Sequence, residues 1–75
     1  MFYVFYDISD PKRLKKISRC LQRYGLRVQK SVFFCEISVS RFEKLKRQLQ
    51  KIQKPEDKIM YLEKCRISAE NITGK

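Results

Sequence analysis

The 75-residue chain has no histidine and no tryptophan, only two glycines and two prolines, and eight acidic residues against eighteen lysines and arginines. Without histidine, most Ser/His and Cys/His hydrolase schemes are excluded, as is a zinc site built on Cys/His ligands. Cys20, Cys35 and Cys65 are odd in number and widely spaced, so they support no disulfide framework and are expected as buried free thiols. No apolar run approaches the roughly 20 residues that span a bilayer, and Met1 leads straight into a strand-like pattern without signal-peptide features. A cytoplasmic protein with no membrane partner is expected. The shortage of acid leaves a formal charge of +10, a strong field for so short a chain, which points to a polyanionic partner, nucleic acid in preference to membrane.

What is present is a regular alternation of strand and helix patterns. Phe2 to Ile8 alternates, with Phe2, Val4, Tyr6 and Ile8 on one side and Tyr3, Phe5 and Asp7 on the other. Asp10-Pro11 reads as an N-cap with proline at the first helical position. Leu14, Ile17, Leu21 and Tyr24 follow at helical spacing, and Gly25 is placed to end that helix. Leu26 to Gln29 and Val32 to Ser38 read as short strands joined around Lys30-Ser31. Ser40-Arg-Phe-Glu43 matches a capping box ahead of Phe42, Leu45, Leu49 and Ile52, a second amphipathic helix that Lys54-Pro55 closes. Lys58 to Cys65 is the last strand, with Ile59 and Tyr61 opposite Met60 and Leu62.

Strand–helix–strand–strand–helix–strand predicts an α+β, ferredoxin-like βαββαβ domain over residues 1–65, an antiparallel sheet with two helices on one face. Residues 66–75 form a short tail in which Glu70 to Thr73 is available as an edge strand. Three strands are apolar on both sides, so the face away from the helices is expected to be an interaction surface. A single core of this size supplies only about 3–5 kcal/mol, and a homodimer through the sheet faces, related by a two-fold axis, is the simplest arrangement.

The remaining catalytic vocabulary is Asp, Glu, Ser, Tyr, Lys and Arg. Asp7 stands at the carboxyl end of the first strand, where it serves either as an oxygen ligand for Mg²⁺ or Mn²⁺ or as a hydrogen-bonded strand-end residue. Across a two-fold axis two copies of Asp7 would approach each other, and a divalent ion or a shared proton would relieve their repulsion. Asp10 reads first as a helix cap. Lys12, Arg13, Lys15, Lys16 and Arg19 lie on the first helix and suit phosphate-backbone contacts as a group. Arg13 and Arg27 follow element boundaries and are candidates to flank Asp7.

Tyr6-Asp7, Asp10, Arg13 and the run Tyr24-Gly-Leu-Arg-Val-Gln-Lys-Ser-Val-Phe33 through Glu36 resemble the CRISPR-associated Cas-two (Cas2) family, and the resemblance covers nearly the whole chain. It implies a ferredoxin-like homodimer in antiviral defence that bridges the Cas-one (Cas1) integrase and holds duplex DNA during spacer acquisition. It also implies a metal-dependent endonuclease on RNA or double-stranded DNA, with Asp7 as the metal-sharing carboxylate. Tyr6, Arg27, Phe33 and Arg13 match further site positions of the family, as does Lys15 on the first helix. A purely structural DNA-binding adaptor and a single-stranded RNA-binding module that stacks bases on strand aromatics are the alternatives.

Overall fold

The computed structural model describes residues 1–64. Its elements are β1 (Phe2–Asp7), α1 (Pro11–Gln22), β2 (Leu26–Gln29), β3 (Val32–Cys35), α2 (Val39–Ile52) and β4 (Lys58–Glu63). The four strands form one sheet in the order β2-β3-β1-β4, every neighbouring pair antiparallel. This is the ferredoxin-like arrangement expected from the sequence. The proposed tail over 66–75, with its edge strand, and Cys65 lie outside the described residues.

Alternation in the strands sets the layers. Phe2, Val4, Tyr6 and Ile8 from β1 and its end, with Phe33 and Cys35 from β3, are buried against Ile17, Cys20 and Leu21 of α1 and Phe42, Leu45 and Leu49 of α2. Phe2 stacks on Phe42 at 3.8 Å between ring centroids, and Tyr61 meets Phe42 edge-on at 5.6 Å. Among the described residues the Tyr61 hydroxyl is buried without a hydrogen-bond partner, an unfavourable contribution. The opposite face carries Tyr3, Phe5, Val32, Phe34, Met60 and Leu62, with no helix over it among the described residues, and Met60 and Leu62 are 67% and 53% exposed.

Several element ends differ from the sequence reading. Helix α1 stops at Gln22 with Arg23 in a right-handed cap, because Arg23 and Tyr24 donate to the carbonyls of Cys20 and Leu21 and tighten the last turn. Gly25 therefore does not adopt a left-handed conformation. It is required for space: a Cβ there would run into the Phe34 carbonyl oxygen and lie 2.7 Å from the Cys35 sulfur. Leu14 is 37% exposed, and Ser18 takes a buried position on α1 in its place.

Strand β1 ends at Asp7 and β3 at Cys35, short of Ile8 and Ser38, while β4 ends at Glu63. Helix α2 begins earlier than the capping-box motif indicated. Ser38 holds the extended N-cap conformation and its hydroxyl accepts from the Arg41 amide at 3.3 Å, while Ser40 lies inside the first turn. Three residues beyond Ser38 is Arg41, not Glu43, so the reciprocal half of a capping box is absent.

Candidate functional site

Asp7 is the last residue of β1 and is exposed on the open sheet face. Its partner across the ladder is Lys58, the first residue of β4. Opposed residues on one face of antiparallel strands have Cβ atoms about 5 Å apart, so a carboxylate and an ammonium group face the same corner. Both line a depression of about 320 Å³ whose apolar floor is Phe5, Val32 and Met60, with Ser31 on its wall.

Tyr6 supports this corner from the other side of the strand. Its ring is buried 6.1 Å from that of Phe33, its hydroxyl donates to the Lys30 carbonyl at 3.2 Å, and its amide donates to the Ser31 carbonyl at 3.1 Å. The β2–β3 hairpin tip is thus tied to β1 beside Asp7. The aromatic ring of Tyr6 belongs to the core and its backbone to the depression.

Arg13 is bound in a clasp between the start of α1 and the segment before β4. Its Nε donates to Asp57 Oδ2 at 2.7 Å, and one terminal nitrogen donates to Asp57 Oδ1 at 3.0 Å and Glu56 Oε2 at 3.1 Å. The Asp57 side chain is fully enclosed. Its carboxyl is held below the ordinary range by the Arg13 hydrogen bonds and further by the Lys54 amide, against the opposing effect of burial. The same hydrogen bonds raise the Arg13 guanidinium. Asp10 Oδ2 accepts from the Arg13 amide at 2.9 Å, which gives Asp10 the capping role expected of it.

Arg27 and Phe33 are cross-strand partners and face the helices. One Arg27 terminal nitrogen donates to the Ser18 hydroxyl at 2.7 Å, and the guanidinium carbon lies 5.5 Å from the Phe33 ring centroid. Phe33 has no exposed surface. The structure therefore does not gather Arg13, Arg27 and Phe33 around the Asp7 carboxylate: strand parity sends Arg27 and Phe33 to the helix face, and Arg13 is engaged with Asp57. Among the first-helix cations, Lys12, Lys15, Lys16 and Arg19 are exposed. Lys15 borders a small depression beside Arg27, while Lys16 and Arg19 border a separate groove between the helices.

Three positions of this arrangement are not apparent from the sequence alone. Lys58 was legible in principle, because period-two alternation puts it with Met60 and Leu62, and antiparallel pairing places the start of β4 against the end of β1. Asp57 and Ser18 carry no local signal, since their partners Arg13 and Arg27 come from distant elements. Burial pushes the Cys20 and Cys35 thiols up, with Arg23 partly countering this at Cys20, and neither reaches the Asp7 depression. Among the described residues there is no cluster of three His, Cys, Asp or Glu side chains placed to hold a metal, and no helix is long and apolar enough to cross a membrane.

Comparison with known proteins agrees with the fold. A family model described as CRISPR associated protein Cas2 matches residues 1–72. A curated relative, CRISPR-associated endoribonuclease Cas2 3 of Synechocystis sp., is 44% identical over 57 residues, covering 76% of this chain and 62% of that protein. The matched part is thus about six-tenths of the relative's length. The crystal structure of Streptococcus pyogenes Cas2 superposes with a TM-score of 0.80 at 29% identity, covering 93% of this chain and 92% of the other. A chain of a solved partial Cas6-RT-Cas1–Cas2 complex gives a TM-score of 0.67 at 27% identity, covering 84% of this chain and 78% of that one. With the family model spanning almost the full sequence and the βαββαβ fold shared, the chain belongs to the CRISPR-associated protein Cas2 family.

Proposed function

We propose that this chain serves CRISPR spacer acquisition as a basic homodimer that binds duplex DNA and bridges the Cas1 integrase, and that two copies of Asp7 form a Mg²⁺- or Mn²⁺-dependent phosphodiesterase site acting on RNA or duplex DNA. The observation that carries this reading is the open sheet face, apolar over all four strands and ending at an exposed carboxylate. Two further facts support it: a similar fold occurs in a complex that contains Cas1, and a 44% identical relative is named an endoribonuclease.

The donor chemistry fits the metal. Asp7 offers exposed oxygen atoms on a rigid strand end, and Mg²⁺ is commonly held by one or two carboxylates completed by waters and substrate phosphate oxygens. Among the described residues one chain supplies one such carboxylate at this corner, so face-to-face pairing would bring the second. A bound divalent ion supplies an activated water and neutralises charge building on the phosphoryl oxygens. The chain's own residues do the rest. Asp7 would hold the ion, and Lys58 would present positive charge to the phosphodiester. Tyr6 anchors the hairpin wall, and Arg13 with Asp57 holds the segment from which Lys58 emerges.

Cleavage of labelled RNA and duplex DNA, with and without Mg²⁺, tests the site. Asp7→Ala is expected to abolish metal-dependent cutting by on the order of 10²-fold or more, the scale lost when a group stabilising a transition state is removed. Cutting that survives the substitution would remove Asp7 from the mechanism. The adaptor reading is favoured by Lys58, which gives the carboxylate a counter-charge without any metal; it stands alone if neither protein cuts and both bind duplex DNA.

A further inference from the structure

On the side of the molecule away from Asp7, α1 and α2 are separated at their outer surfaces by a groove of about 390 Å³. Lys16, Arg19 and Arg23 come from α1 and its cap, Lys51 comes from α2, and no acidic residue among those described lines the groove. None of the four cations is held in an ion pair among the described residues. At the base, the Cys20 thiol donates to Gln48 Oε1 at 3.3 Å, which orients the amide and leaves its Nε2 hydrogens for a ligand. One cation in the last turn of each helix would satisfy the helix dipoles. Four converging on one concavity are more than that role needs.

We infer that this groove seats the phosphodiester backbone of a nucleic acid. The spacing favours a nucleic acid strand. Lys16 and Arg23 are seven residues apart, about 10.5 Å at 1.5 Å per residue, and Arg19 lies between them. A DNA strand advances about 3.4 Å per phosphate along its axis, so the α1 row covers about three phosphate-to-phosphate steps, with Lys51 reaching in from the facing wall. Confining the contacts to backbone phosphates makes the site indifferent to base sequence. This inference rests on the nucleic-acid-binding part of the proposed function and assigns it a location distinct from the Asp7 depression.

The test compares two full-length variants of equal net charge. One carries Lys16→Gln, Arg19→Gln, Arg23→Gln and Lys51→Gln. The other carries Lys30→Gln, Lys44→Gln, Arg47→Gln and Lys64→Gln, four exposed cations outside the groove. Affinity for a fluorescent duplex is measured across a salt series, with thermal melts to confirm folding. The groove variant is expected to lower the slope of log affinity against log salt by about 3 to 4, near 0.9 for each phosphate that the protein no longer neutralises. The control is expected to change it by less than about 1, and Lys16→Arg/Lys51→Arg, which keeps the charges, to retain the wild-type slope. Equal losses in the two quadruple variants, or an unaffected groove variant, overturn the groove and leave the adaptor reading standing. A wild type that binds no nucleic acid overturns both, and tighter binding of polyglutamate than of DNA assigns the groove to an acidic protein and overturns the inference.

Discussion

At the scale of single residues, the strongest local constraint is the enclosure of Asp57, whose charge is kept in the interior by Arg13 and the Lys54 amide. Removing Arg13 leaves a buried carboxylate without its main partner, so Arg13→Ala is expected to destabilise the fold more than neutralising an exposed cation such as Lys44. The pH dependence follows from the lowered Asp57 value. The unfolded chain takes up the proton first, near the ordinary 3.8, so the stabilisation is complete above that pH and is lost as pH falls through the lower folded value. Urea midpoints measured from pH 7 to pH 2.5 should fall below about pH 4 in the wild type. Asp57→Asn should be less stable at pH 7 and show a shallower acid decline; an unchanged decline would refute the clasp. From the sequence Arg13 reads as a phosphate contact or a neighbour of Asp7, because an arginine on a polar helix face looks free. Its partners, 43 and 44 residues away, are fixed only by the tertiary fold.

At the scale of elements, the strands were legible because one buried face imposes period-two alternation, which Phe2, Val4 and Tyr6 and then Phe33 and Cys35 obey. Asp7 was legible for the same reason: it is the first charge on an otherwise apolar side of β1. Element ends were harder, since two serines two residues apart both resemble a cap and only backbone conformation chooses between them. The extended geometry of Ser38 makes a sharp prediction. Ser38→Ala should cost about 1 kcal/mol, the usual loss of a serine N-cap, and Ser40→Ala only a few tenths. Urea denaturation of the two variants checks this, and the reverse order would restore the Ser40 box. The sequence misplaced the role of Gly25 for a related reason. Local pattern shows a glycine after a helix, whereas the contact that demands it is the backbone of β3.

At the scale of the whole molecule, the two faces of the sheet divide the work. The helix face holds the core, and the open face presents Phe5, Met60 and Leu62 at one side and Leu26 and Val28 at the other, with exposures from 36% to 74%. A continuous apolar surface of this kind is costly to leave in water, and under the proposed pairing a second copy would cover it by a self-complementary contact. Leu62 allows the pairing and the chemistry to be separated. It opposes Tyr3 on the ladder, four residues along β4 from Lys58, about 13 Å at 3.3 Å per residue. Leu62→Glu puts a carboxylate on the open face without touching the Asp7 corner, and a two-fold interface would bury it twice. The wild type is expected to sediment at twice the monomer mass at micromolar concentration, and Leu62→Glu as a folded monomer with an unchanged circular dichroism spectrum. If the site needs one Asp7 from each copy, metal-dependent cleavage by the variant should fall with its dimer fraction and recover as protein concentration rises, whereas Asp7→Ala should remain dimeric and inactive at every concentration. A monomeric wild type would end the pairing proposal. Full specific activity in monomeric Leu62→Glu would show that one Asp7 suffices, leaving Lys58 and the hairpin tip as the groups that complete the site.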